Sequence, residues 1–247
     1  MFRSLTRVET APTDAGRSAR VPNARVVSEN PTGSLQRRPI ATRQKPWAQK
    51  LAAWLDSLGV TPNAISLASV GFALLAAVAL WRSGAAGGAL RVVLLLAAAG
   101  GMQLRLLCNL LDGMVAVECG RRTPYGDLFN DVPDRISDVA IFLGAGYGIG
   151  YLALGPVLGW SAALVAVLTA YIRLLGGAMG LTQHFAGPMA KQHRMAMLTA
   201  ACFVSLFEPV WHGRGQVMEF ALALVVAGSV VGFVRRLALI CEDIAKR

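Results

Sequence analysis

Asn109 and Asp112 lie three residues apart, and Asn130 and Asp134 lie four apart. On a helix either spacing places both side chains on one face. Two such pairs, joined by a glycine-containing connection, can converge at one end of a helix hairpin. Oxygen ligands from Asp and Asn suit a hard cation such as Mg²⁺ or Mn²⁺. A hard cation beside basic loops suits a phosphate-bearing substrate. The acids are concentrated in this stretch. Six of the chain's 14, namely Asp112, Glu118, Asp127, Asp131, Asp134 and Asp138, fall within 109–138. The competing account of the same residues is a solvated loop face that balances Arg121, Arg122 and Arg135.

The elements that must position these groups are apolar. The chain has 247 residues, of which 55% are of the apolar and aromatic types and only 15% are charged, with 26 glycines. An average soluble domain carries roughly 25% charged residues. The composition excludes a disordered chain and points away from a soluble globule, towards one polytopic membrane domain. Six apolar stretches run over 64–81, 89–108, 139–154, 157–180, 195–207 and 217–234. Several approach the roughly 20 residues that cross a bilayer as a helix. The third and fifth are short, and extension through the polar residues before each lengthens them. No two-residue alternation appears, which excludes a barrel. The expected fold is all-α, a polytopic membrane protein with six transmembrane helices. Trp47, Leu51, Trp54, Leu55 and Leu58 recur at helical spacing beside Lys45 and Lys50. They predict an N-terminal amphipathic helix at the membrane interface, with indoles at headgroup depth.

Charge is unevenly placed. The formal net charge is +10, and residues 1–50 hold ten basic and three acidic groups. Residues 1–45 show no sustained apolar period and predict a basic, disordered tail that lies against anionic lipid; a transit peptide is the minor alternative. Residues 46–247 form the membrane domain. Nucleic acid is not an expected partner, because no motif-bearing basic domain accompanies the charge. Basic residues gather in the tail, the 109–138 and 182–194 connections and the C-terminus, which predicts that the termini and the polar cluster are cytoplasmic in a cell (inner) membrane. The four cysteines form no CxxC pair, and buried thiols are expected rather than a disulfide framework or zinc site.

Residues 109–134 read NLLDGMVAVECGRRTPYGDLFNDVPD. This resembles the signature of the CDP-alcohol phosphatidyltransferase family, D-x2-D-G-x2-A-R-x8-G-x3-D-x3-D, without a gap. Asn109 falls at the first Asp, Asp112 at the second, Gly113 at the first Gly, Ala116 at the Ala, Val117 at the Arg, Gly126 at the second Gly, Asn130 at the third Asp and Asp134 at the fourth. VTPNAIS at 60–66 is similar to the family's Pro-Asn opening, and AYIRLLGGAMG at 170–180 and GPMAKQHR at 187–194 to its later basic segments. The resemblance covers about residues 45–240. It implies a six-helix integral membrane transferase that moves a substituted phosphate from a CDP-linked lipid, usually CDP-diacylglycerol, to a small alcohol or phosphorylated alcohol with release of CMP, in phospholipid biosynthesis. It further implies one or two Mg²⁺ or Mn²⁺ ions held by Asn109, Asp112, Asn130 and Asp134, with Asp134 as general base toward the acceptor hydroxyl. Asn63, Asp112, Gly113, Ala116 and Gly126 would contact the donor nucleotide; Arg173, Lys191 and Arg194 would bind acceptor or phosphate. Members are commonly homodimers.

Three departures matter. Asn109 and Asn130 leave the four ligand positions with a charge of −2 rather than −4, and an amide offsets less of a dication's charge. Glu118, Asp127 and Asp131 are the nearby candidates to compensate, though Asp131 projects about 100° from Asn130 on a helix. Val117 removes a cation, for which Arg105, Arg121 or Arg122 are replacements. A catalytically inactive relative is therefore an alternative, although two isosteric changes in an untouched frame favour a divergent active member. A small transporter is a third reading. Against it, the acids gather at one face and no inverted repeat is evident. Arg235 and Arg236 are expected to be membrane anchors, and His193 a bystander.

Overall fold

The computed structural model describes residues 43, 45–121, 124–150, 154–181 and 187–246. The expected tail over 1–45 lies outside these residues apart from Arg43 and Lys45, as do Arg122, residues 182–186 and the Asp127 side chain.

Among the described residues the chain is all-helical. Seven α-helices follow one another: α1 (Pro46–Ser57), α2 (Pro62–Ser83), α3 (Gly88–Glu118), α4 (Gly126–Tyr147), α5 (Leu154–Ala178), α6 (Lys191–Ser205) and α7 (Gln216–Ala245), with a short 3₁₀ turn at Glu208–Trp211 before the last. Each of the six apolar stretches contributes to a helix, although within the third α4 ends at Tyr147, and α4 and α6 do begin in the polar residues that precede them. Four helices, α2, α3, α5 and α7, are long and apolar enough to cross a membrane.

Local chemistry sets the ends. Pro46 and Pro62 occupy the first helical positions of α1 and α2, where a missing N–H costs nothing. Thr61, not Asn63, caps α2: its Oγ1 accepts from the Ala64 amide at 3.2 Å. Pro133 lies inside α4 and gives no N–H to the carbonyl one turn back, so the backbone ladder is interrupted one residue before Asp134.

Packing follows from small residues. α2 packs on α3 and α4, α4 on α5, α5 on α7, and α3 and α7 on α6. A Cβ at Gly144 would stand 2.3 Å from the Ala77 carbonyl of α2, and one at Gly146 would stand 2.6 Å from the Gly155 carbonyl of α5. Only hydrogen at these positions lets α4 touch both neighbours backbone to backbone. Gly101 similarly meets α2, whereas Gly100, its neighbour in the sequence, faces open space.

The bundle has two polar ends. At one, fully buried Glu208 pairs with Arg91 of α3 and accepts the Gly215 and Val217 amides at 2.9 and 2.8 Å. It thereby ties the start of α3 to the start of α7. At the other end lie the residues singled out above.

Candidate functional site

The C-terminal half of α3 carries Asn109 and Asp112, the N-terminal half of α4 carries Asn130 and Asp134, and Asp138 lies just past the middle of α4. α5 ends with Arg173, α6 begins with Lys191 and Arg194, and α7 brings Arg236. Asn109, Asn130, Asp134, Arg173, Lys191 and Arg194 line one open cavity of about 480 Å³. The structure therefore brings six of the predicted site residues together.

Asp134 is the hub. Only 7% of it is exposed. Asn109 Nδ2 donates to its Oδ1 at 2.8 Å. Lys191 Nζ forms an ion pair with the same oxygen, and Arg105 Nη2 stands 3.5 Å from it. Arg135 Nη2 stands 3.8 Å from Oδ2. The helix hairpin is thus closed by a side-chain bond between two predicted ligands.

Asp112 sits behind the cavity wall, 5% exposed. Ser66 of α2 donates to its Oδ2 at 2.7 Å. Both Asp134 and Lys191 are close enough to act on its charge. Asn63 lies one turn before Ser66 at the same end of α2. Neither it nor Gly113, Ala116 and Gly126 lines the cavity. Over Gly113 lies Arg43, whose Nη2 would be 3.5 Å from a Cβ at that position. Arg43 Nε is buried without a hydrogen-bond partner among the described residues.

A layer of buried charge supports the cavity floor. Asp138, 1% exposed, is held between Arg105 Nη2 at 2.6 Å and Arg194 Nη2 at 3.1 Å. Arg194 also lies over the Phe142 ring, 5.9 Å from its centre. A carboxylate between two guanidinium groups keeps three ions neutralised to +1 in a place where one alone would be costly.

These contacts decide several expectations. Arg105 is wholly buried on Asp138 and Asp134, so it does not face a substrate as the replacement for the missing motif cation. Arg121 is committed too: it pairs with Asp56 and bonds the Asp56 carbonyl at 3.1 Å, fastening α1 to the end of α3. Asp131 pairs with Arg173 at 3.1 Å. Arg235 is exposed, as an anchor would be, but Arg236 is 8% exposed, lines the cavity and donates to the Thr169 carbonyl at 3.1 Å. The anchor expectation for Arg236 is therefore corrected. His193 is turned to the Pro188 carbonyl at 2.8 Å. No three His, Cys, Asp or Glu side chains gather as a metal cluster among the described residues.

The sequence reading missed Ser66, Arg236 and the structural role of Asp138. A signal existed for two of them. Asp138 is one turn beyond Asp134, and Ser66 is one turn beyond Asn63. In the Arg235-Arg236 pair, by contrast, one residue points inward and nothing local says which.

No family model matches the chain. Over 195 residues it is 26% identical to the inner membrane protein YnbA of Escherichia coli, covering 77% of this chain and 90% of that protein. Over 201 residues it is 24% identical to a phosphatidylinositol phosphate synthase of Streptomyces avermitilis, covering 79% and 78%. The crystal structure of Mycobacterium tuberculosis phosphatidylinositol phosphate synthase with CDP-DAG bound superposes with a TM-score of 0.65 at 23% identity, over 78% of this chain and 92% of that one. The chain has that fold. A second structure of the same synthase, in complex with manganese and citrate, matches with a TM-score of 0.65 at 23% identity, over 78% and 88%.

Proposed function

We propose that the chain is an integral membrane transferase that moves a substituted phosphate group from a CDP-linked lipid to an alcohol, with release of CMP, in phospholipid synthesis. The observation that carries this reading is the single cavity in which Asn109, Asn130, Asp134 and Lys191 meet at one end of the bundle. It rests also on the similarity to the two synthases.

α4 and α6, flanked by longer apolar helices, complete six spans, and α1 lies at the interface, with Trp47 and Trp54 exposed. The basic end of the bundle faces the cytoplasm of an inner membrane. The resemblance also carries the expectation of a homodimer.

The residues fit a divalent cation. Asp112 and Asp134 supply two carboxylates, and Asn109 and Asn130 supply amide oxygens, an all-oxygen set matched to Mg²⁺ or Mn²⁺. When bound, such an ion offsets charge on the donor pyrophosphate during displacement. The remaining work belongs to the chain. Arg43, over Gly113, supplies the donor-side cation that Val117 does not. Arg173, Lys191, Arg194 and Arg236 make a basic wall suited to an acceptor that carries its own phosphate. Asp134 accepts the acceptor's hydroxyl proton as that oxygen bonds to the lipid-bearing phosphorus and the bond to the CMP oxygen breaks.

A second reading has one observation in its favour. Asp134 is engaged by Asn109 and Lys191, and two carboxylates are absent, as in an inactive relative. CMP release by purified protein separates the two readings. The transporter reading has no support of this kind, because the charged cluster closes one end of the bundle instead of lining a path through it.

A further inference from the structure

We infer that this site takes one divalent cation and not two, because Lys191 covers the carboxylate oxygen that a second ion would need. The inference deepens the transferase reading and rests on it.

The argument begins with the two oxygens of Asp134. A carboxylate that bridges two cations gives one oxygen to each. Here Oδ1 already receives the Asn109 amide at 2.8 Å, the Lys191 ammonium, and Arg105 Nη2 at 3.5 Å. Arg135 Nη2 stands 3.8 Å from Oδ2. Oδ1 is thus crowded by one neutral donor and two cations and offers no position to a second ion.

Charge leads to the same count. Four carboxylates at positions 109, 112, 130 and 134 would offset two dications. The chain keeps two, Asp112 and Asp134, which offset one. It also places an ammonium on Asp134, and the Lys191 side chain is about three-quarters buried. In a site of low dielectric a fixed cation beside an incoming dication is strongly repulsive. The Asn replacements and Lys191 therefore act in the same direction. Asn109 removes a negative charge and uses its amide nitrogen to hold Asp134 where Lys191 reaches it. In this arrangement the Lys191 ammonium, besides its place in the basic wall, sits on Asp134 where a second ion would bring its positive charge.

The test is a count of bound metal that does not depend on turnover. The full chain is purified in lipid nanodiscs without donor or acceptor and titrated with Mn²⁺. Free Mn²⁺ is read by electron paramagnetic resonance and bound Mn²⁺ by elemental analysis. The expected result is one ion per chain. Asn109→Asp, Asn130→Asp and Lys191→Met combined should raise the count to two, while either the two Asp changes or Lys191→Met alone should leave it at one. Gel filtration and helical circular dichroism establish that each variant is folded. Two ions on the unaltered chain, or none, overturn the inference, as does a folded triple variant that still binds one. The outcome is separable from that of the transferase reading. Two ions with CMP release intact reject the inference alone, and one ion with no CMP release under any condition rejects the transferase reading alone.

Discussion

Asn109 donates its side-chain amide to Asp134 at 2.8 Å and so joins α3 to α4 at the mouth of the cavity. An Asp at 109 would have no proton to offer there and would repel its neighbour. The Asn is thus a bonded partner of the proposed base and not merely a weakened ligand. The arrangement places a neutral donor, an ammonium and a guanidinium on one carboxylate oxygen, and it leads to the following expectations.

Asp134→Asn removes the proton acceptor and the charge that Lys191 and Arg105 face. CMP release should fall by about 10³-fold or more, within the range for loss of a general base. Circular dichroism should show the same helix content. Activity within a few fold of the unaltered chain would remove Asp134 from that role.

Arg236→Ala tests the basic wall at a residue whose contacts with the cavity were not readable beforehand. Loss of one charge-assisted bond should raise KM for a phosphorylated acceptor by about 10- to 100-fold. KM for the CDP-lipid should hardly move. Equal change in both would place Arg236 elsewhere in the mechanism.

Arg43→Ala tests the opposite wall. If Arg43 serves the donor phosphates over Gly113, KM for the CDP-lipid should rise by about tenfold or more, the worth of a bond to a charged group, with the acceptor KM unchanged. A variant with normal donor KM would leave the missing cation at Val117 without a replacement.

Asp138→Asn leaves Arg105 and Arg194 buried without their shared counter-charge. Breaking a buried ion pair costs about 3–5 kcal/mol. The midpoint of thermal unfolding in detergent should fall clearly, and more than for Asp134→Asn, whose carboxylate borders the cavity. An unchanged midpoint would show that the two guanidinium groups find other partners.

How much of this could be read in the residues alone varies with the physics involved. The helices were legible because apolar length and proline or threonine at helix starts are local signals; even α4 and α6, too polar at their beginnings to stand out, follow from extension of short apolar runs. The convergence of Asn109, Asn130 and Asp134 was legible because spacing on a helix fixes a face. The partners were not. Whether Arg105 serves a substrate or Asp138 depends on how α3, α4 and α6 cross, and those crossings are set by contacts such as Gly144 on Ala77, distant in sequence. Arg121 looked available beside the motif, but Asp56, 65 residues earlier, claims it. Arg236 looked like an anchor because it follows an apolar run, yet the rotation of α7 turns it inward while Arg235 faces outward.

The central claim is the transfer itself, and one measurement addresses it. The purified chain in nanodiscs is incubated with CDP-diacylglycerol and a panel of alcohols and phosphorylated alcohols, with EDTA or with Mg²⁺ or Mn²⁺ in excess, and CMP and lipid product are counted together. The expected result is equal CMP and lipid product with at least one acceptor, abolished by EDTA and restored by the ion. Folded protein that yields no CMP with any acceptor at any ion concentration would contradict the account.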